Sequence, residues 1–177
     1  QTGVKWTEGR RILTMESLAN KTDYGISLLN NKFAFGIRDA GGTDNTVQST
    51  AVANSDKWYH IAVTRNKTSG ELQLFINGKL DASLNTSNTI TLGGGINMLI
   101  SKDSIGTNTW QGYVDELRLW NSVLSANTIK DMMNLRANET HPNYNDLTAY
   151  YRFDENTGII CENLEDGGTC LLYTSDA

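Results

Sequence analysis

Short apolar stretches that alternate residue by residue and stop at Asn or Gly constrain the fold of this chain more than any other feature. Tyr24–Leu29 and Lys32–Ile37 flank Asn30-Asn31, a pair that tolerates positive φ. This predicts a tight hairpin with Phe33, Phe35 and Ile37 on one face. Glu71–Ile76 alternates Leu72, Leu74 and Ile76, turns at Asn77-Gly78 and returns through Lys79–Ala82. Asn-Gly between alternating runs is the strongest short-range hairpin signal. Lys57–Arg65 puts Tyr59, Ile61 and Val63 on one face and Trp58, His60 and Ala62 on the other, which predicts a central strand covered on both sides. Ile90–Leu92, Ile96–Ile100, Tyr113–Trp120 and Leu147–Phe153 supply further strands. One segment has helical spacing, with Ser125 as cap and Ile129, Met132 and Met133 at i, i+3 and i+4. The pattern predicts an all-β fold, a two-layer antiparallel β-sandwich of jelly-roll type with one short helix.

Composition narrows the functional classes. A chain of 177 residues suffices for one domain with a real core. A net charge of −5 argues against electrostatic capture of nucleic acid or anionic lipid, and no apolar run is long enough for a membrane span. Two Cys and two His, His60 and His141, cannot build a four-cysteine zinc site or a three-histidine metal centre. Gly93-Gly94-Gly95 opens no helix and lacks the Lys of a phosphate loop, so it reads as a turn. Of the sequons at Asn20, Asn66, Asn85 and Asn138, several arise by chance in so Asn- and Thr-rich a chain.

Three blocks carry a family resemblance: DKWYHIAVTRNKTSGELQLFINGKLDAS (Asp56–Ser83), WQGYVDELRLWNSVLSANTIKDMM (Trp110–Met133) and LTAYYRFDENTG (Leu147–Gly158). Together they resemble the laminin-G-like domains of the concanavalin A-like lectin/glucanase superfamily, and pentraxins are similar in the same stretches. The resemblance implies a module over residues 1–160 that lacks its first strands. Leu147–Gly158 then reads as the closing strand, or as the opening strand of a tandem copy. Residues 161–177 read as a tail, and Cys170–Ala177 resembles a translated sequencing adapter. A Cys161–Cys170 disulfide is then either an accident of assembly or an oxidised loop of an extracellular protein.

Enzymatic readings find little support. Glucanases of this superfold need carboxylates at alternate strand positions, whereas Asp115-Glu116 and Asp154-Glu155 are adjacent and point to opposite faces. No nucleophile-elbow motif accompanies the two His. Asp115 shares a predicted strand face with Leu117 and Leu119, so it should accept hydrogen bonds from turn N–H groups or from His60. Glu116 and Arg118 should pair on the other face.

The resemblance implies a non-catalytic carbohydrate-binding module of a larger secreted or surface protein, with a polysaccharide or glycoconjugate as partner and calcium as cofactor. The alternative is an adhesion or spacer module that binds extracellular protein. Carried over from pentraxins by position, the calcium ligands are Asp23 and Asp103, with Asn20 and Asn108 beside them; Tyr24 and Lys102 depart from that pattern. For the glycan, Trp6 and Trp110 lie in polar contexts where a ring could stack on a sugar, although Trp110 also reads as core packing. Asp44 and Asn45, in the Gly41–Asn45 loop, are the candidate polar rim. Trp58 and Trp120 lie on predicted strands and read as core.

Overall fold

The computed structural model describes residues 3–15, 22–38, 42–87, 91–92, 98–102, 106–155, 160–165 and 169–171. The chain divides into two compact units, Gln1–Gln111 and Gly112–Ala177. The first holds β1 (Arg10–Met15), β2 (Tyr24–Leu29), β3 (Lys32–Arg38), β4 (Asp44–Val52), β5 (Ile61–Arg65), β6 (Glu71–Ile76), β7 (Lys79–Asn85) and β8 (Met98–Ile100). They form one antiparallel sheet in the order β4-β3-β2-β1-β8 and a second in the order β5-β6-β7. The alternating residues explain why the sheets stack. Phe33, Phe35, Ile37 and Val47 of the first sheet meet Leu72, Leu74 and Ile76 of the second in one buried cluster. Each such side chain contributes roughly 1.5–3 kcal/mol by leaving water. Both predicted hairpins form, with positive φ at Asn30, Asn31, Asn77 and Gly78.

A carboxylate ties the rims of the two layers. Asp81 on β7 accepts from Thr50 N at 2.5 Å, Thr50 Oγ1 at 3.0 Å and Ala51 N at 3.3 Å. Those groups belong to β4, the outermost strand of the larger sheet, which would otherwise present unpaired N–H groups.

The larger sheet closes around Trp6, in the 3-10 turn Trp6–Glu8 that leads into β1. Trp6 is 0% exposed. Its indole fills a hollow left by two glycines: a Cβ on Gly36 would sit 2.0 Å from Trp6 Cδ1, and one on Gly25 would sit 2.6 Å from Trp6 Cζ3. The backbone of Trp6 is pinned as well. Its N–H donates to Thr46 Oγ1 at 3.1 Å, and its carbonyl accepts from Ser27 Oγ at 2.8 Å and Arg11 Nη1 at 2.6 Å. The buried Arg11 guanidinium also donates to the carbonyls of Gly9 and Thr7 and lies 4.8 Å from the centre of the indole.

Several predicted strands are altered. Lys57–His60 is not strand; Asp56 takes φ +60°, so β5 starts only at Ile61. Among the described strands β5 pairs with β6 alone, so it is not central, and Trp58 is 69% exposed rather than core. Thr91 and Leu92 are not strand, and Ile90 and Ile96 lie outside the described residues. Two strands carry no obvious apolar signal: β1 mixes Arg and Thr into its apolar run, and β4 is mostly Thr, Gln, Ser and Asn. Thr46, Val47 and Ser49 are nonetheless buried.

The second unit pairs β9 (Leu117–Trp120) antiparallel with β10 (Leu147–Tyr151), and joins them through α1 (Ala126–Met132) and a 3-10 turn at Tyr144–Asp146. Ser125 Oγ caps α1 by accepting Thr128 N at 3.0 Å, and Ile129 is buried on the predicted face. The predicted Tyr113–Trp120 strand is shortened because Glu116 takes φ +53°. Asp115 is therefore exposed rather than facing a core, and its Oδ1 accepts the N–H of Glu116 at 2.9 Å. Glu116 and Arg118 do pair, at 2.6 Å, and Tyr150 Oη donates to the same carboxylate at 2.5 Å. In the segment read from sequence as a tail, Asn163 is buried and its Oδ1 accepts Tyr150 N at 2.8 Å. Beyond it β11 (Ile160–Glu162) pairs with β12 (Thr169–Leu171), with Cys161 opposite Cys170 in register.

His141 is 6% exposed and stacks on Trp120, ring centres 4.4 Å apart. Its Nδ1 accepts Asn143 N at 3.0 Å, which requires the neutral ring. Burial, and then the charge of Arg118, push its pKa below the ordinary 6.5. Unfolded His141 therefore takes up a proton before folded His141 does. This contribution to stability is complete above about pH 6.5 and is lost as pH falls through the depressed folded value.

Two outcomes follow. Gly36→Ala should destabilise the first unit by roughly 1–3 kcal/mol through overpacking against Trp6, read from urea midpoints. An unchanged midpoint would show that the indole is not held in that hollow. The second unit should lose stability as pH drops below about 6.5, followed by amide exchange at Tyr150 and Leu164, and His141→Gln should flatten that slope.

Candidate functional site

The first residues of β1, ahead of the stretch that pairs with β8, border a polar recess on the surface. Ser101 N donates to Ile12 O at 3.0 Å, and Trp110 N donates to Ser101 O at 2.9 Å. Arg11 N donates to Asn108 O at 2.8 Å, and Arg11 forms a parallel bridge with Thr109. Segment 106–111 is thereby laid along the start of β1. Arg10, Thr107, Asn108, Thr109 and Gln111 line a recess of about 210 Å³ between them.

Among the described residues its lining is polar throughout, with one guanidinium, two carboxamides, two hydroxyls and no carboxylate. The consecutive arginines divide the work. Arg11 points inward and is spent on Trp6, Thr7 and Gly9, whereas Arg10 is exposed in the recess. Such a lining can orient a hydroxyl-rich or anionic ligand through hydrogen bonds.

The residues singled out from sequence are distributed as follows. Asn108 lines the recess; Trp110 is half-buried in the same segment but is not part of the lining. Trp6 has no exposed surface, so its ring serves the core and offers no sugar platform. Asp44 and Asn45 are the first residues of β4 and not a loop rim. The Asp44 side chain is 4% exposed and takes a forked pair from Arg38, Nη2 to Oδ2 at 3.1 Å and Nε to Oδ1 at 3.3 Å, with Thr7 Oγ1 beside it at 3.2 Å.

Of the calcium set, Asn20 and Asp103 lie outside the described residues. Asp23 is buried just before β2, and its carbonyl accepts Arg38 N at 2.7 Å. The register separates it from Asn108. Tyr24 pairs with Met15, while Asn108 bonds Arg11, four positions along β1 and so about 13 Å away. Asp23 and Asn108 therefore do not close on one cation. Among the described residues no group of three or more His, Cys, Asp or Glu side chains could hold a metal ion. Sequence reasoning passed over Arg10, Thr107, Thr109 and Gln111, because a recess assembled by pairing Arg11 with Thr109 has no local motif.

Comparison with known proteins places this geometry in a wider frame. A family model described as concanavalin A-like lectin/glucanases superfamily matches residues 3–130. Among solved structures, a candidate carbohydrate-binding protein from Bacteroides ovatus is similar at a TM-score of 0.66 and 16% identity, covering 94% of this chain and 50% of that one. A heptameric SAP-like pentraxin from Limulus polyphemus is similar at 0.62 and 12% identity, covering 94% and 76%. This chain thus spans half the length of the first. No curated protein matches the chain. Among the described residues no helix is long and apolar enough to cross a membrane.

Proposed function

The chain belongs to the laminin-G-like family of the concanavalin A-like lectin/glucanases superfamily, and from that premise we propose that it is a non-catalytic carbohydrate-binding module of a larger secreted or surface protein. The observation that carries this reading is the all-polar recess beside β1, whose hydroxyls and carboxamides suit the hydroxyl groups of a sugar. Its size also fits. At about 210 Å³ it is smaller than the ~300–1,000 Å³ of pockets that enclose drug-sized ligands. It would take one ring of a chain and leave the remainder in solvent, as suits a polysaccharide or glycoconjugate. A non-catalytic role accords with the carboxylates. Asp115 is bonded to its own neighbour's N–H, Glu116 is engaged by Arg118 and Tyr150, and Asp154 is paired with Arg152. This reading of the recess does not draw on calcium: Asn108 is remote from Asp23, and Asn20 and Asp103 lie outside the described residues.

The expected outcome is binding of the 177-residue chain to at least one glycan on an array, confirmed by calorimetry and unchanged by chelator. Asn108→Ala and Gln111→Ala should each weaken it roughly 2- to 10-fold, the worth of one hydrogen bond. Failure to bind any glycan, with or without calcium, would leave the adhesion or spacer role. Binding abolished by chelator would move the site to the Asp23 end of the sheet.

A further inference from the structure

The chemistry of the recess selects among sugars. Four of its five lining side chains are neutral, and the fifth is the Arg10 guanidinium. Among the described residues Arg10 makes no ion pair and no side-chain hydrogen bond, in a chain whose net charge is −5. The half-buried arginine heads are placed differently: Arg38 is forked onto Asp44, and Arg152 is paired with Asp154 and stands 3.8 Å from Glu116; Arg136 is exposed like Arg10 but belongs to the second unit and lines no part of this recess. Asn108 and Gln111 add carboxamides beside Arg10, with Asn108 Nδ2 donating to Thr107 Oγ1 at 3.5 Å, and Thr109 adds a hydroxyl; among the described lining residues there is no fixed negative charge. A guanidinium fork with neutral donors around it matches an oxyanion, which it can bind through two parallel N–H···O bonds. Among the described residues no aromatic side chain lines the recess, so ring stacking, the usual grip on a neutral sugar face, has no part in this lining.

We infer that the recess takes an acidic saccharide, holding the carboxylate or sulfate of one sugar unit on Arg10 while Asn108, Thr109 and Gln111 bond its hydroxyls. This rests on the carbohydrate-binding reading and names the substrate class within it. Because Arg10 is exposed, the pairing is open to solvent and salt-sensitive.

The test is calorimetry of the 177-residue chain against two matched pairs of probes. One pair is tri-galacturonate and its methyl ester; the other is a sulfated galactose oligosaccharide and its desulfated form. The acidic member of at least one pair should bind roughly 10- to 100-fold more tightly than its neutral counterpart, the range expected for hydrogen bonds to a charged group. Which pair responds tells carboxylate from sulfate. The advantage should disappear in Arg10→Gln, shrink in Arg10→Lys, which keeps the charge but loses the fork, and survive in Lys57→Gln, which removes an equal charge outside the lining. It should also decline between low and high salt. Equal binding of acidic and neutral members in both pairs, or an advantage that survives Arg10→Gln, overturns the inference and leaves the carbohydrate-binding reading standing. Binding of none of the four, and of no other glycan, removes both.

Discussion

The burial of Trp6 between two glycines and an arginine is the interaction from which the rest of the first unit follows. The indole replaces the side chains that Gly25 and Gly36 lack, so it knits β2 and β3 together from the chain segment that precedes β1. A guanidinium buried beside it is costly unless its donors are satisfied. Here its Nη1 and Nη2 groups meet the carbonyls of Trp6, Thr7 and Gly9 in the turn that leads into β1. Each group thus resolves the other's desolvation, and the result positions the start of β1 within the sheet.

The recess is a consequence of that positioning. With the Arg11 head drawn inward, its backbone N–H still points along the strand edge and donates to Asn108 O, which brings segment 106–111 alongside. Arg10, one residue earlier, then faces solvent next to the carboxamides of that segment. The groups proposed to bind ligand then lie mostly on a connecting segment beside the sheet, the usual division in a fold that hosts many functions. The same logic removes candidates. Asp44, polar and near a loop in sequence, is consumed by Arg38 and Thr7 in holding the Trp6 turn against the end of the sheet.

In the second unit, electrostatics is organised around β9 and β10 rather than around a cavity. Glu116 collects Arg118 and the Tyr150 hydroxyl, and the Arg118 guanidinium lies 5.1 Å from the centre of the Tyr150 ring and donates to the Leu135 carbonyl. His141 is held neutral close by, stacked on Trp120. These charges are absorbed by structure: the carboxylates of Glu116 and Asp154 are held by Arg118, Tyr150 and Arg152.

Local pattern was enough to determine the hairpins, the capped helix and the buried face of β3, because alternation, Asn-Gly turns and a Ser cap act over a few residues. The same residues carried the family resemblance, and with it the sandwich. Strands held by neighbours rather than by their own apolar content could not be read this way. β4 is polar, yet it is paired to β3 and clamped by Asp81; Tyr113–Glu116 alternates, yet it is broken by one residue with positive φ. The site was less legible still. Asn108 entered only through the pentraxin resemblance, as a calcium ligand, and Arg10, Thr109 and Gln111 acquire meaning only when the start of β1 receives a segment about a hundred residues away. Whether a tryptophan meets solvent or a glycine hollow is likewise decided by non-local packing: Trp6 is interior because Gly25 and Gly36 leave room for it, and Trp58 is exposed because the strand meant to carry it begins three residues later.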